Sequence, residues 1–119
     1  ELRSLLKLSS ISAFNKLTHV EGVIIFSALN SLISIDAFHL LQNVNGRYLT
    51  IDGCRHLKDI SSLSNIATEL EDITITNCSN LYDFCPIVPL VENMTGTWYV
   101  TGCGYNPTKY QMLNGDCSQ

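Results

Sequence analysis

Charge is scarce in this chain. Asp, Glu, Lys and Arg make up 15% of its 119 residues, against 45% hydrophobic residues. That excludes the charge-rich, weakly apolar composition of a disordered segment and leaves ample matter for a core. Positive charge is scarcest: 7 Lys and Arg stand against 11 Asp and Glu, for a net charge of −4. Without a basic face, nucleic acid is not an expected partner. Long apolar runs are missing as well. None approaches the roughly 20 residues that a membrane-spanning helix needs, so no membrane span is expected. The opening ELRSLL does not read as a secretory leader, and it is compatible with a processed or trimmed start. The 5 cysteines show no CxxC spacing of the zinc type, and an odd number cannot all pair within one chain. A chain of this length ordinarily makes one domain, here residues 1–119.

What the sequence does contain is a repeat. Residues 49–60 read LTIDGCRHLKDI and residues 73–84 read ITITNCSNLYDF. Aligned on the first cysteine, one column holds Leu5, Leu29, Cys54, Cys78 and Cys103. The next holds Leu8, Leu32, Leu57 and Leu81, and fails at Asn106. Ile11, Ile35, Ile60 and Phe84 follow, then Phe14, Phe38, Leu63 and Ile87, then Leu17, Leu41, Ile66 and Leu90. Spacings that alternate between 24 and 25 residues are the signature of a solenoid.

Two periodicities coexist within each repeat. LTID alternates at period two, as a short strand with one buried face does. Beyond the cysteine the apolar spacing becomes three, which predicts a return arm of coil or 3₁₀ turns, since an α-helix would drift at 3.6. The expected architecture is an α/β repeat solenoid with rungs at about 1–19, 20–43, 44–69 and 70–93, and a final strand and cap at 94–119. Its inward strand columns are Ile24, Leu49, Ile73, Trp98 and Leu2, Phe26, Ile51, Ile75, Val100. The opposite face of a single parallel sheet carries Ile25, Thr50, Thr74, Tyr99 and Ser27, Asp52, Thr76, Thr101.

The LxIxxCxxL pattern resembles the strand-and-turn signature of the leucine-rich repeat family, over essentially the whole chain. The ending FCPI…TGCGYNPTKYQMLNGDC is similar to the last rungs of secreted leucine-rich-repeat proteins of Bacteroides-type bacteria, related to receptor L domains. The resemblance implies a binding or scaffold role in an exported protein, located extracellularly, in a periplasm or on a cell surface. It transfers no ligand.

The ends of a solenoid need cover. At the C-terminal end, Asn106 fits an N-cap, Pro107 a first helical position and Gly115 a stop, so a short helix is expected with Tyr110, Leu113 and Met112 turned to the core. At the other end Leu2, Leu5 and Leu8 already occupy inward columns. An open strand edge there predicts self-association.

Cys54, Cys78 and Cys103 form a column, read either as a metal or redox site or as a ladder of buried thiols. A line along the stacking axis does not converge on a point as metal ligands must, so the ladder is preferred. Cys85 and Cys117 stand outside it. A disulfide from return arm to post-helix tail is the preferred reading, and it requires an oxidising compartment. Two free thiols in a reducing one is the rival. His19, His39 and His56 fall in three different columns beside no nucleophile. Asp36, Asp59 and Asp83 fit turn positions. The sequons at Asn77 and Asn93 are three-residue matches that carry little weight. No cofactor, metal or catalytic group is expected.

The exposed sheet face remains as the candidate binding surface, with Ile25, Tyr48, Thr50, Asp52, Thr74, Thr76, Tyr99 and Thr101. Its expected partner is a protein or glycan. The alternative is a structural or capping piece of a larger surface protein without a ligand of its own.

Overall fold

Strands form where the sequence alternates, and the strands pair at the repeat distance. The computed structural model describes residues 2–3 and 14–119. Five strands make one open sheet, in the order β1 (Leu2–Arg3), β3 (Ile24–Ser27), β5 (Tyr48–Asp52), β6 (Asp72–Thr76) and β7 (Trp98–Thr101). Every pairing is parallel and in register: Phe26 opposes Ile51, Ile51 opposes Ile75, and Ile75 opposes Val100. A second sheet, unforeseen from the sequence, joins β2 (His19–Val20) to β4 (Asn43–Val44), again in parallel. The described residues thus make a small α/β structure with parallel strands in two sheets and no closed barrel. No helix among the described residues is long and apolar enough to cross a membrane.

The apolar columns fill the space behind the five-stranded sheet. Leu32, Leu57 and Leu81 are fully buried, as are Ile35, Ile60 and Phe84. The spacing of three is realised as 3₁₀ turns at Asp36–Phe38, Ser61–Asn65 and Cys85–Ile87. The last of these runs into a helix that the sequence reading did not contain, α1 (Val88–Asn93), which buries Leu90 and Val91. Leu5 and Leu8 lie outside the described residues.

Burial weakens toward β7. Trp98 and Val100 sit in inward columns, yet each is only half-buried, because an edge strand has a neighbour on one side alone. Beyond β7 the cap differs from expectation. Asn106 does not cap a helix; its side chain bonds the amide and carbonyl of Cys103, at 2.8 and 3.1 Å, and closes the turn after the strand. The helix α2 is Lys109–Leu113, capped by Thr108 in a reciprocal box with Gln111. One turn turns one residue inward. Met112 is fully buried, whereas Tyr110 and Leu113 are 75% and 48% exposed, the reverse of the face assigned to them.

A further column runs across the ends of the strands. Ala28, Gly53, Asn77 and Gly102 each follow a strand directly, with φ of 56°, 71°, 57° and 69°. The left-handed conformation turns the chain off the sheet while the amide still bonds the neighbouring strand: Ala28 to the Asp52 carbonyl, Gly53 to Thr76 and Asn77 to Thr101. An alanine held there carries a Cβ penalty that glycine does not. Ala28→Gly is therefore expected to stabilise the fold by about 1 kcal/mol and Gly53→Ala to cost about 1–2 kcal/mol. A Cβ on Gly53 would meet only ordinary contacts at 3.6 Å, so strain is the whole effect. Urea denaturation of the two variants checks both signs; a neutral Gly53→Ala would contradict the account.

Candidate binding face

Parallel register turns three sequence positions into three rows across the outer side of the sheet. Tyr48 opposes Asp72. Ile25, Thr50, Thr74 and Tyr99 align in the second row, and Ser27, Asp52, Thr76 and Thr101 in the third. Neighbours within a row are about 4.8 Å apart, the spacing of paired strands. Tyr48, Tyr99 and Thr101 are exposed; Thr50, Asp52, Thr74 and Thr76 are half-buried, flanked by strands on both sides.

The polar groups on this face are held in place by one another. Asp52 Oδ1 accepts hydrogen bonds from Thr76 Oγ1 at 2.7 Å and from Asn77 Nδ2 at 3.0 Å. Asp72 Oδ1 accepts from the Thr97 amide at 2.7 Å. The Tyr48 hydroxyl bonds Glu71, and that hydrogen bond, with the carboxylate's charge, holds the phenol above its ordinary pKa. The result is an array of hydroxyls and carboxylates with one aromatic ring at the start of the central strand and another on the edge strand β7. Such a surface donates and accepts hydrogen bonds and offers rings for stacking.

Ile25 departs from this description. It is half-buried and lines an apolar cleft of about 200 Å³ with Phe14, Leu17, Val20, Phe26 and Phe38. Conversely, Asp72 and Glu71 were missed as neighbours of Tyr48. The signal was present, since the same 24-residue offset that pairs Leu49 with Ile73 pairs Tyr48 with Asp72.

The cysteine column lies on the core side of the strand ends. Cys54 and Cys78 are fully buried, but Cys103 is only half-buried, a correction to the uniform ladder expected. All three are free thiols. Each donates weakly to a backbone carbonyl two residues earlier, and Cys54 and Cys103 also reach the neighbouring strand at Phe26 and Ile75. Cys78, between two other thiols, is pushed well above the ordinary thiol pKa by its bonds to Cys103 and Cys54, with burial adding to the effect. A middle thiol so placed is a poor nucleophile, since the thiolate is the reactive form. Cys85 and Cys117 form the expected disulfide, with Cα atoms 4.9 Å apart.

The remaining candidates are dispersed. His19 bonds Glu21 at 2.7 Å, His39 bonds the Asp36 carbonyl, and His56 is exposed. Asp59 and Asp83 accept from the amides of Ser61 and Cys85, two residues on, and so start 3₁₀ turns. Ser34, not Asp36, holds the corresponding position in the preceding repeat. It aligns with Asp59 across a parallel bridge, and its hydroxyl bonds Asp36. No group of three His, Cys, Asp or Glu side chains among the described residues is placed to hold a metal ion. Compared with protein-family models, with curated proteins and with solved structures, the chain finds no match in any of the three.

Proposed function

We propose that the chain is a leucine-rich-repeat solenoid acting as a non-enzymatic recognition module, which binds a protein or glycan through the outer face of its five-stranded sheet. The observation that carries this reading is the in-register face itself. Strand pairing at the repeat distance brings Tyr48 and Tyr99, 39% and 54% exposed, onto one surface with rows of threonine and aspartate. Neither ring is needed for the core, and repeat proteins use extended sheet surfaces of this kind for binding.

The Cys85–Cys117 disulfide supports an oxidising location, hence an extracellular, periplasmic or cell-surface one. The regular alternation of 24 and 25 between paired residues, from Leu2–Phe26 to Ile73–Trp98, supports the solenoid.

The test is a screen of the chain against immobilised neutral polysaccharides and extracellular proteins. Any ligand found is then measured against Tyr48→Ala and Tyr99→Ala. Loss of a central aromatic contact is expected to weaken binding about 30-fold or more, corresponding to about 2 kcal/mol. A ligand whose affinity is unchanged in both variants would move the site off this face.

A further inference from the structure

The C-terminal end of the sheet carries no charge and an open strand edge. Among the described residues, β7 has β6 on one side and no strand on the other. The Ile73 amide bonds the Thr97 carbonyl and the Asn77 amide bonds that of Thr101, both at 3.0 Å. Backbone groups alternate sides along a strand, so the amides and carbonyls of Trp98 and Val100 point away from β6 to the free edge. Proteins ordinarily protect such an edge with a charge, a proline or a bulge. Here residues 98–101 read WYVT and contain none of the three.

The surroundings share this character. Residues 93–108 include no Asp, Glu, Lys, Arg or His, in a chain whose net charge is −4. Residues 103–119 occupy the place of one more return arm: the Tyr105 amide bonds the Leu81 carbonyl, the Phe84 amide bonds that of Cys117, and Met112 is turned into the core. On that arm Tyr110 and Leu113 are exposed to solvent.

We propose that this end is a self-docking surface, on which a second copy of the chain pairs its β7 antiparallel with β7 across a two-fold axis. The charge distribution selects the occupant. Two copies of a chain at −4 repel wherever their acidic surfaces meet, and an uncharged end removes that repulsion from one approach. An edge offering its own donors and acceptors is self-complementary under two-fold symmetry, and that contact closes after two chains. Pairing joins two five-stranded sheets into one and covers Tyr110 and Leu113. This contact lies at the opposite end of the sheet from the β1 edge considered above, and it leaves the outer face open.

The test uses the full chain. Sedimentation velocity over a range of concentrations is expected to show a monomer–dimer equilibrium. Hydrogen exchange at the Trp98 and Val100 amides is expected to slow as dimer forms and to quicken on dilution. Tyr110→Lys with Leu113→Lys should raise the dissociation constant about tenfold or more, since each places charge in an apolar contact. Val100→Pro, which removes an amide that points to the free edge and makes no bond to β6, is a second variant expected to raise the constant likewise, and an unchanged constant in it overturns the proposal. A monomer at every concentration overturns the proposal. So does a dimer whose Trp98 and Val100 amides exchange as in the monomer, or growth into open-ended oligomers, which would mean head-to-tail contact.

Discussion

Ile75→Ala is expected to cost roughly 2–5 kcal/mol of folding free energy, and Tyr99→Ala close to nothing. The two residues belong to adjacent rows of the same sheet but point to opposite sides of it, Ile75 from an inner strand and Tyr99 from the edge strand. Ile75 is fully buried between Ile51 on one strand and Val100 on the other, so truncation leaves a cavity that parallel neighbours cannot collapse to fill. Tyr99 is 54% exposed at the edge strand and removes little apolar area from water. Chemical denaturation of both variants measures the contrast. Equal losses would mean that the strands are shifted by one residue, which would exchange the two faces.

Removing the disulfide, by Cys117→Ser or by a reductant, is expected to lower stability by about 3–4 kcal/mol on the chain-entropy account of a loop this long. The bond closes a separation of 32 residues, within which lie α1, β7 and α2. Non-covalent ties between the tail and the preceding repeat are few: the Phe84 amide to the Cys117 carbonyl at 2.9 Å, a bridge between Asp83 and Ser118, and the Gln119 amide to the Tyr82 carbonyl. Loosening should therefore begin in the cap, and of the three column thiols half-buried Cys103 should react first, ahead of Cys54 and Cys78. Urea unfolding with and without reductant gives the energy, and alkylation followed by peptide mapping gives the order. Identical midpoints in the two conditions would show that the cap is held by packing alone.

The core was legible in the sequence because burial recurs at fixed positions. Leu32, Leu57 and Leu81 needed only an alignment of the chain with itself, and the strand register followed from it. Elements without periodicity stayed hidden. Two-residue strands such as β2 and β4 are too short to alternate. At α1 the N-cap Ile87 and Leu90 fit the spacing of three of the preceding columns as well as a helical one. The left-handed column was masked by Ala28 and Asn77, which stand where Gly53 and Gly102 show the need openly. The cap helix was started one signal too early: Asn106–Pro107 resembles an N-terminus, but the box that operates is Thr108 with Gln111. On the outer face Tyr48 and Tyr99 are exposed, as the alternation of their strands implies. The columns could not show that Ile25 turns toward a cleft, since a half-buried position has no distinct residue preference.

The disulfide also sets how the molecule answers to mechanical load. Parallel strands joined edge to edge open in sequence when pulled along the stacking direction, each strand peeling before the next bears force. A pull applied at the C-terminal tail passes from Cys117 directly to Cys85, so the intervening chain carries no tension while the bond is intact. β7, α1 and α2 are shielded, and the first elements to yield lie on the N-terminal side of Cys85. Reduction would release the stored segment, adding roughly 110 Å of extended chain at about 3.4 Å per residue. For a protein anchored at one end and gripped at the other, the thiol chemistry of its surroundings would then decide both how far it stretches and which strand gives way first.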